Sequence, residues 1–165
     1  MVITDVTLPL NPDAARELKP GGIVRLSGPV YTARDAAHKR LTESLQRGEP
    51  LPFDIVRQTI YYAGPAPAKP GAIIGPCGPT TSSRMDAYTA ALLAAGLRGM
   101  IGKGERSPAV RAAMREHGAV YFGVVGGAAA LVARHVSSCE IIAYEDLGTE
   151  AVRCLIIDDL IALVL

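Results

Sequence analysis

The chain has no tryptophan, only two phenylalanines and only three cysteines in 165 residues. It also lacks a surplus of either charge: 17 Lys and Arg stand against 16 Asp and Glu, a formal net charge of +1. Each shortage excludes something. Without a basic surplus the chain is not suited to offset nucleic-acid phosphates. With few aromatics it has no platform for stacking single-stranded bases. Cys77, Cys139 and Cys154 are odd in number and widely spaced, a poor disulfide framework. No CxxC pair is present, which argues against a zinc ribbon. Three thiols can hold an iron–sulfur cluster with one open iron, but three free thiols in a cytosolic protein is the plainer reading. No apolar run approaches the roughly 20 residues of a membrane span. Residues 1–10 alternate apolar and polar and carry Asp5, unlike a secretion signal. A cytoplasmic location is therefore expected.

What is present is an apolar fraction of 49% and a charged fraction of 20%. That excludes a disordered chain and suits one domain, residues 1–165, with a real core. The pattern alternates strand and helix. Ile3 to Leu8 has the period of a strand. Ile23, Val24 and Leu26 start a second one, broken at Gly28 and Pro29. Thr32 followed by Asp35 resembles a capping box for a helix to about Arg47, with Ala33, Ala37, Leu41 and Leu45 on one face. Gly48 ends it. Ile60 to Ala63 and Ala72 to Gly75 read as strands within a proline-rich stretch. A helix then carries Met85, Tyr88, Leu92 and Ala95 on one face and stops at Gly96. Met100 to Gly102 is a short strand. Ser107 and Pro108 open a helix in the favoured N-cap order, closed by Gly118. Val120 to Val125 is a strand, Gly126-Gly127 opens an Ala-rich helix, and strands follow at Glu140 to Tyr144 and Cys154 to Ile157. Such alternation implies an α/β fold, a sheet with helices on its faces.

Three spots gather glycine, hydroxyl and cationic residues near strand ends: Tyr31 to His38, Gly75 to Asp86, and Gly102 to Arg106. In the middle one, Thr80, Thr81, Ser82 and Ser83 precede a helix, whose N-terminus attracts anions. Arg84 adds a planar fork that grips a carboxylate at two points. An ordinary capped helix with an exposed arginine fits the same residues. Lys103 between Gly102 and Gly104 can point at an anion or be a solvated turn residue. The full Walker A spacing is absent. Arg34 and His38 are four apart and share a face; taken singly, Arg34 reads as a surface helix residue and His38 as a structural histidine, although a histidine is able to switch charge near neutral pH. Taken together, Arg34, Arg84 and Lys103 supply the cations that a small dicarboxylate needs.

Six segments carry a family resemblance. They are residues 28–38 (GPVYTARDAAH), 60–65 (IYYAGP), 78–86 (GPTTSSRMD), 100–104 (MIGKG), 126–130 (GGAAA) and 145–151 (EDLGTEA). In this order they resemble the iron–sulfur hydro-lyases of the class I fumarate hydratase and tartrate dehydratase family. The match is to the β subunit, or the C-terminal domain of the one-chain enzymes. Gly21-Gly22 departs from the family's usual Gly-Asp.

The resemblance implies a swivelling β/β/α domain, with a mixed sheet flanked by helices. It implies hydration of fumarate to malate at a [4Fe–4S] cluster held by three cysteines of an α subunit, not by this chain. Substrate-binding residues fall on Arg34, Arg84 and Lys103. A proposed catalytic base falls on Thr80, with Asp35, His38, Thr81, Gly102 and Gly104 in support. The implied partners are the α subunit, in a homodimer or α2β2 assembly, and a small dicarboxylate. Neither nucleic acid nor membrane is expected. Two rivals stand beside this reading: an L-tartrate dehydratase β subunit, and a non-catalytic carboxylate-binding or regulatory module.

Overall fold

The computed structural model describes residues 2–124 and 129–165. Its strands are β1 (Ile3–Thr7), β2 (Ile23–Thr32), β3 (Thr59–Tyr61), β4 (Gly99–Gly102), β5 (Val120–Gly123), β6 (Val136–Ala143) and β7 (Val152–Val164). Its helices are α1 (Pro12–Glu17), α2 (Asp35–Gln46), α3 (Asp86–Ala94), α4 (Pro108–His117) and α5 (Ala129–Ala133). Two 3₁₀ turns lie at Ser82–Met85 and Glu145–Glu150.

Strands β2, β3, β4 and β5 pair in parallel. β7 pairs antiparallel with β5 at its end and with β2 along its length, so the pairings return to β2. β1 adds in parallel to the first half of β2, and β6 adds antiparallel to β7. The result is a mixed sheet flanked by helices, as the alternating pattern predicts.

Neighbouring residues on the central strands serve two cores. Tyr61, Ile101 and Phe122 pack with Val6, Leu26 and Leu155 on one face. Ile60, Met100 and Tyr121 pack on the other with Ala37 and Leu41 of α2 and Leu92 and Leu93 of α3. Burial on both faces explains why these strands read as continuous apolar runs. The side chains of Tyr61, Tyr62 and Phe122 are fully buried. Each contributes about 2–3 kcal/mol on burial. A few large aromatics inside therefore offset the low aromatic count.

Several sequence expectations change. β2 does not break at Gly28-Pro29. It runs on to Thr32 with a bulge between Leu26 and Gly28. The last strand extends far beyond Cys154 to Ile157, because β2 offers a long edge that β7 covers. Ala72 to Gly75 is not a strand, and Ile73 is exposed. The Thr32/Asp35 capping box does not form. Arg34 is the N-cap of α2, and Thr32 lies in β2. The Thr32 hydroxyl instead donates to the Ala151 carbonyl (3.4 Å) and accepts from the Arg153 N–H (3.1 Å). A carboxylate from elsewhere does the capping: Glu150 Oε1 accepts from the Ala36 N–H at 3.1 Å. Ser107 and Gly118 cap α4 as expected. Gly126 and Gly127 lie outside the described residues.

Candidate functional site

The parallel strands β2, β3 and β4 end at one edge of the sheet, where ligands of α/β sheets usually bind. β2 runs into Arg34, β3 into Tyr62 to Gly64, and β4 into Lys103. The segment before the first 3₁₀ turn lies across two of these ends. The Thr80 N–H donates to the Tyr62 carbonyl at 2.6 Å. Thr81 forms an isolated parallel bridge with Lys103, and the Ser82 N–H donates to the Lys103 carbonyl at 2.9 Å. Arg84, half exposed, then reaches back to α2. Its Nε and Nη2 lie 3.1 and 3.0 Å from Asp35 Oδ2. Backbone pairing and one ion pair thus join segments that carry Arg34, Asp35, Thr80, Thr81, Arg84 and Lys103.

The 3₁₀ turn alters one expectation. Thr80 and Thr81 do not stand at the mouth of α3, because Ser82–Met85 intervenes and α3 begins at Asp86. The N-terminus of α3 is therefore set apart from Thr80 and Thr81, and the side chains of Arg34, Arg84 and Lys103 are the candidates for holding an anion.

Two glycines permit the close approach. A Cβ on Gly102 would fall 2.3 Å from Ser82 Oγ and 2.8 Å from the Tyr62 ring. A Cβ on Gly64 would fall 2.9 Å from the Thr149 carbonyl and 3.0 Å from Arg34 Cδ. Neither position has room for a side chain. Gly104 follows Lys103, and its carbonyl accepts from Tyr121 Oη at 2.8 Å. With that hydroxyl proton committed, Ser82 Oγ donates to Tyr121 Oη at 2.6 Å.

Two polar atoms of this cluster are buried without a hydrogen-bond partner among the described residues: Arg34 Nε and Asp35 Oδ1. Buried polar groups normally have partners. An unpaired guanidinium nitrogen on Arg34, next in sequence to the Asp35 that pairs with Arg84, fits a bound anion.

His38 takes the structural part of the two that the sequence leaves open. It is fully buried on α2, and its Nδ1 lies 2.8 Å from the Arg34 carbonyl. That contact makes Nδ1 the protonated nitrogen. Burial pushes its pKa down to about 4, against a smaller raising effect of the Arg34 carbonyl, while the Arg106 charge lowers it further. His38 is thus neutral near pH 7 and not a switch there; it holds the start of α2 and the backbone of Arg34. The unfolded chain binds this proton near pH 6.5, and the folded one only near about 4. Stability contributed by neutral His38 is complete above pH 6.5 and is lost as pH falls through that window, by about 3 kcal/mol in all. Urea titrations from pH 7 to 4 should show this loss and find it reduced in His38→Gln. An equal slope in the variant would assign the loss to other groups.

The sequence reading passed over Arg106 as an individual residue. It is 5% exposed, and all three nitrogens are used. Nε donates to Asp86 Oδ1 (2.9 Å), Nη1 to Tyr62 Oη (3.0 Å) and Nη2 to Thr89 Oγ1 (2.8 Å). The guanidinium also lies over the Tyr62 and Tyr121 rings. Asp86 Oδ2 accepts from the Ser107 N–H at 3.0 Å. This network ties the loop that follows Lys103 to α3 and β3. Glu150 was passed over too, although it lies in a segment carrying the resemblance. Nothing local in the sequence marks either role, since both depend on partners distant in the chain.

The fit to a metal group is a separate matter. Among the described residues no group of three or more His, Cys, Asp and Glu stands ready to hold a metal ion. Cys77 is buried, and burial pushes its thiol up to about 12. Cys139 and Cys154 are half-buried on β6 and β7, and burial raises both thiols. These thiols are disfavoured as thiolate ligands. The residues of this chain do not fit a [4Fe–4S] cluster. No helix among the described residues is long and apolar enough to cross a membrane.

Comparison with known proteins places the chain in a family. The family model described as "Fumarase C-terminus" matches residues 3–165. The aerobic class I fumarate hydratase of Escherichia coli is 42% identical over 142 residues, 85% of this chain and 26% of that protein. Fumarate hydratase 2 of Leishmania major is 39% identical over 141 residues, 84% of this chain and 25% of that one. The putative L(+)-tartrate dehydratase subunit beta of Methanocaldococcus jannaschii is 37% identical over 134 residues, 79% of this chain and 69% of that subunit. The chain spans about a quarter of the length of the class I fumarate hydratases it matches and a larger share of the separate β subunit. With a matching model over nearly its whole length, the chain belongs to the fumarase C-terminal domain family.

Proposed function

We propose that this chain is the β subunit of a two-subunit hydro-lyase that adds water reversibly to fumarate. The single observation that carries the reading is the joining of the Arg34, Thr80, Arg84 and Lys103 segments at one sheet edge by backbone bonds and the Arg84–Asp35 pair. The separate tartrate dehydratase β subunit among the relatives supports the two-chain arrangement.

A four-carbon dicarboxylate carries two negative charges about one bond length beyond its double bond. Arg34 and Arg84 supply planar forks for its carboxylates, and Lys103 supplies a point charge. Asp35 holds Arg84 by one edge and leaves Nη1 to face the substrate. Thr80, held by the Tyr62 carbonyl, supplies the hydroxyl oxygen proposed to take the C3 proton of malate in the dehydration direction. A threonine hydroxyl is a poor base, so its alkoxide needs cations beside it; Arg84 and Lys103 are the nearby candidates. The [4Fe–4S] cluster implied by the resemblance belongs, in this reading, to the α partner, which also supplies the acid. The isolated chain is then inactive.

The test is reconstitution with an iron-containing α partner under anaerobic conditions, with turnover of fumarate, malate and both tartrates measured. Fumarate and malate turnover by the complex, and none by the isolated chain, is the expected result. Faster turnover of a tartrate would make this the β subunit of a tartrate dehydratase. Hydration of fumarate by the isolated, iron-free chain would sink the two-subunit reading.

A further inference from the structure

A cavity of about 880 Å³ is lined by α1, α4 and the end of β7. None of Arg34, Thr80, Arg84 and Lys103 lines it. Its apolar lining includes Leu10, Leu18, Met114, Val164 and Leu165. Its cationic lining is Arg16, Arg57, Arg98, Arg106, Arg111 and Arg115, and Glu105 is the one acidic residue on it among the described residues. A chain of net charge +1 thus places six arginines around one hollow.

Their partners differ. Arg16 pairs with Asp13, and Arg106 with Asp86. Arg57 Nε donates to the Leu10 carbonyl, and Arg98 Nη1 donates to the Leu93 and Leu97 carbonyls. Those bonds fix the two guanidinium groups, and neither has an acidic partner among the described residues. Arg111 and Arg115 have no acidic partner among the described residues. They are four apart on α4, so they share a face and repel each other. Arg115, in the last turn, is favoured by the helix dipole; Arg111 is not. An isolated helix gains nothing from this pair, whereas an anion between the two relieves it.

We propose that this cavity binds a nucleoside polyphosphate, with phosphates on Arg111, Arg115 and Arg57 and the base against Met114 and Leu165. Three features select that class. The volume lies in the range of sites for single small molecules and far exceeds a four-carbon dicarboxylate. The cations facing it are arginines, whose planar forks grip phosphate oxygens in pairs. The apolar lining, with Met114 half-buried and Leu165 exposed, offers a flat ring a surface to cover, which inorganic phosphate alone would not use. The proposal is independent of the hydro-lyase reading.

Isothermal titration of the whole chain with ATP tests it, with adenosine, tripolyphosphate and a glutamate-rich peptide as further probes. Saturable one-to-one ATP binding is expected, with adenosine and tripolyphosphate each weaker by at least about tenfold. R111Q/R115Q should weaken ATP by about tenfold or more, and R111Q alone by about threefold should the pair disturb α4. Arg84→Ala, outside the cavity, should leave the affinity unchanged. Absence of saturable ATP binding up to about 5 mM would overturn the proposal. So would equal affinity in the arginine variants, loss of binding in Arg84→Ala, or tripolyphosphate binding as tightly as ATP. Tighter binding of the peptide would make the hollow a protein interface instead.

Discussion

Replacing Arg106 by methionine is expected to cost about 3–5 kcal/mol of folding stability. The variant removes three side-chain hydrogen bonds from a nearly inaccessible guanidinium. It leaves Asp86, only 17% exposed, as a carboxylate without its cation. Tyr62 Oη and Thr89 Oγ1 lose their donors in a region where no water replaces them readily. Stranding a buried group costs more than the net worth of the bond it made. For a chain of this length the loss corresponds to a fall in Tm of about 10 °C. Differential scanning calorimetry checks it. A companion double variant, Arg106→Met with Asp86→Asn, should recover part of the loss, since the stranded charge is the largest part of the cost. A Tm within about 2 °C of the parent would show that Arg106 is not the tie between the Lys103 loop and α3.

The second large effect is on turnover. In the assembled enzyme, Arg84→Ala and Lys103→Met are each expected to lower kcat/KM by about a thousandfold. Both are assigned to the dianion in the proposed function, and neither is a core residue. Arg84 is half exposed, so its removal leaves the fold intact. Arg84→Lys should rescue little, because a flexible ammonium cannot hold Asp35 with one edge and present a further fixed donor as the planar guanidinium does. Asp35→Asn is expected to lose less, about tenfold to a hundredfold, since it acts by orienting Arg84 and not by touching substrate. Steady-state kinetics with circular dichroism on each variant decides the matter. Near-normal kcat/KM in Arg84→Ala would remove it from the substrate set.

The order of these effects reflects how the molecule divides its arginines. Arg106 is structural: all three of its nitrogens bond to protein groups. Arg34 keeps a buried nitrogen free, and Arg84 has one nitrogen, Nη1, outside its ion pair. Residue type alone does not separate these uses. Partner count does.

The sequence determined the alternation of strands and helices, because apolar periodicity and capping residues such as Ser107 and Gly118 act within a few positions. Motif residues in order also made the family legible, together with Arg34, Thr80, Arg84 and Lys103 as candidates. What it misread were features settled by distant partners. β2 continues past Gly28-Pro29 because β7 lies along it and a bulge absorbs the irregularity. Thr32 serves the β2–β7 pairing while Glu150, far along the chain, caps α2. His38 is held neutral by burial, which no single-residue pattern encodes. Arg106 and the arginine-lined hollow likewise exist only once α1, α3, α4 and β7 come together. Local propensity and spacing are written along the chain. Burial, charge pairing and the convergence of strand ends depend on long-range packing, and that part only the tertiary structure decided.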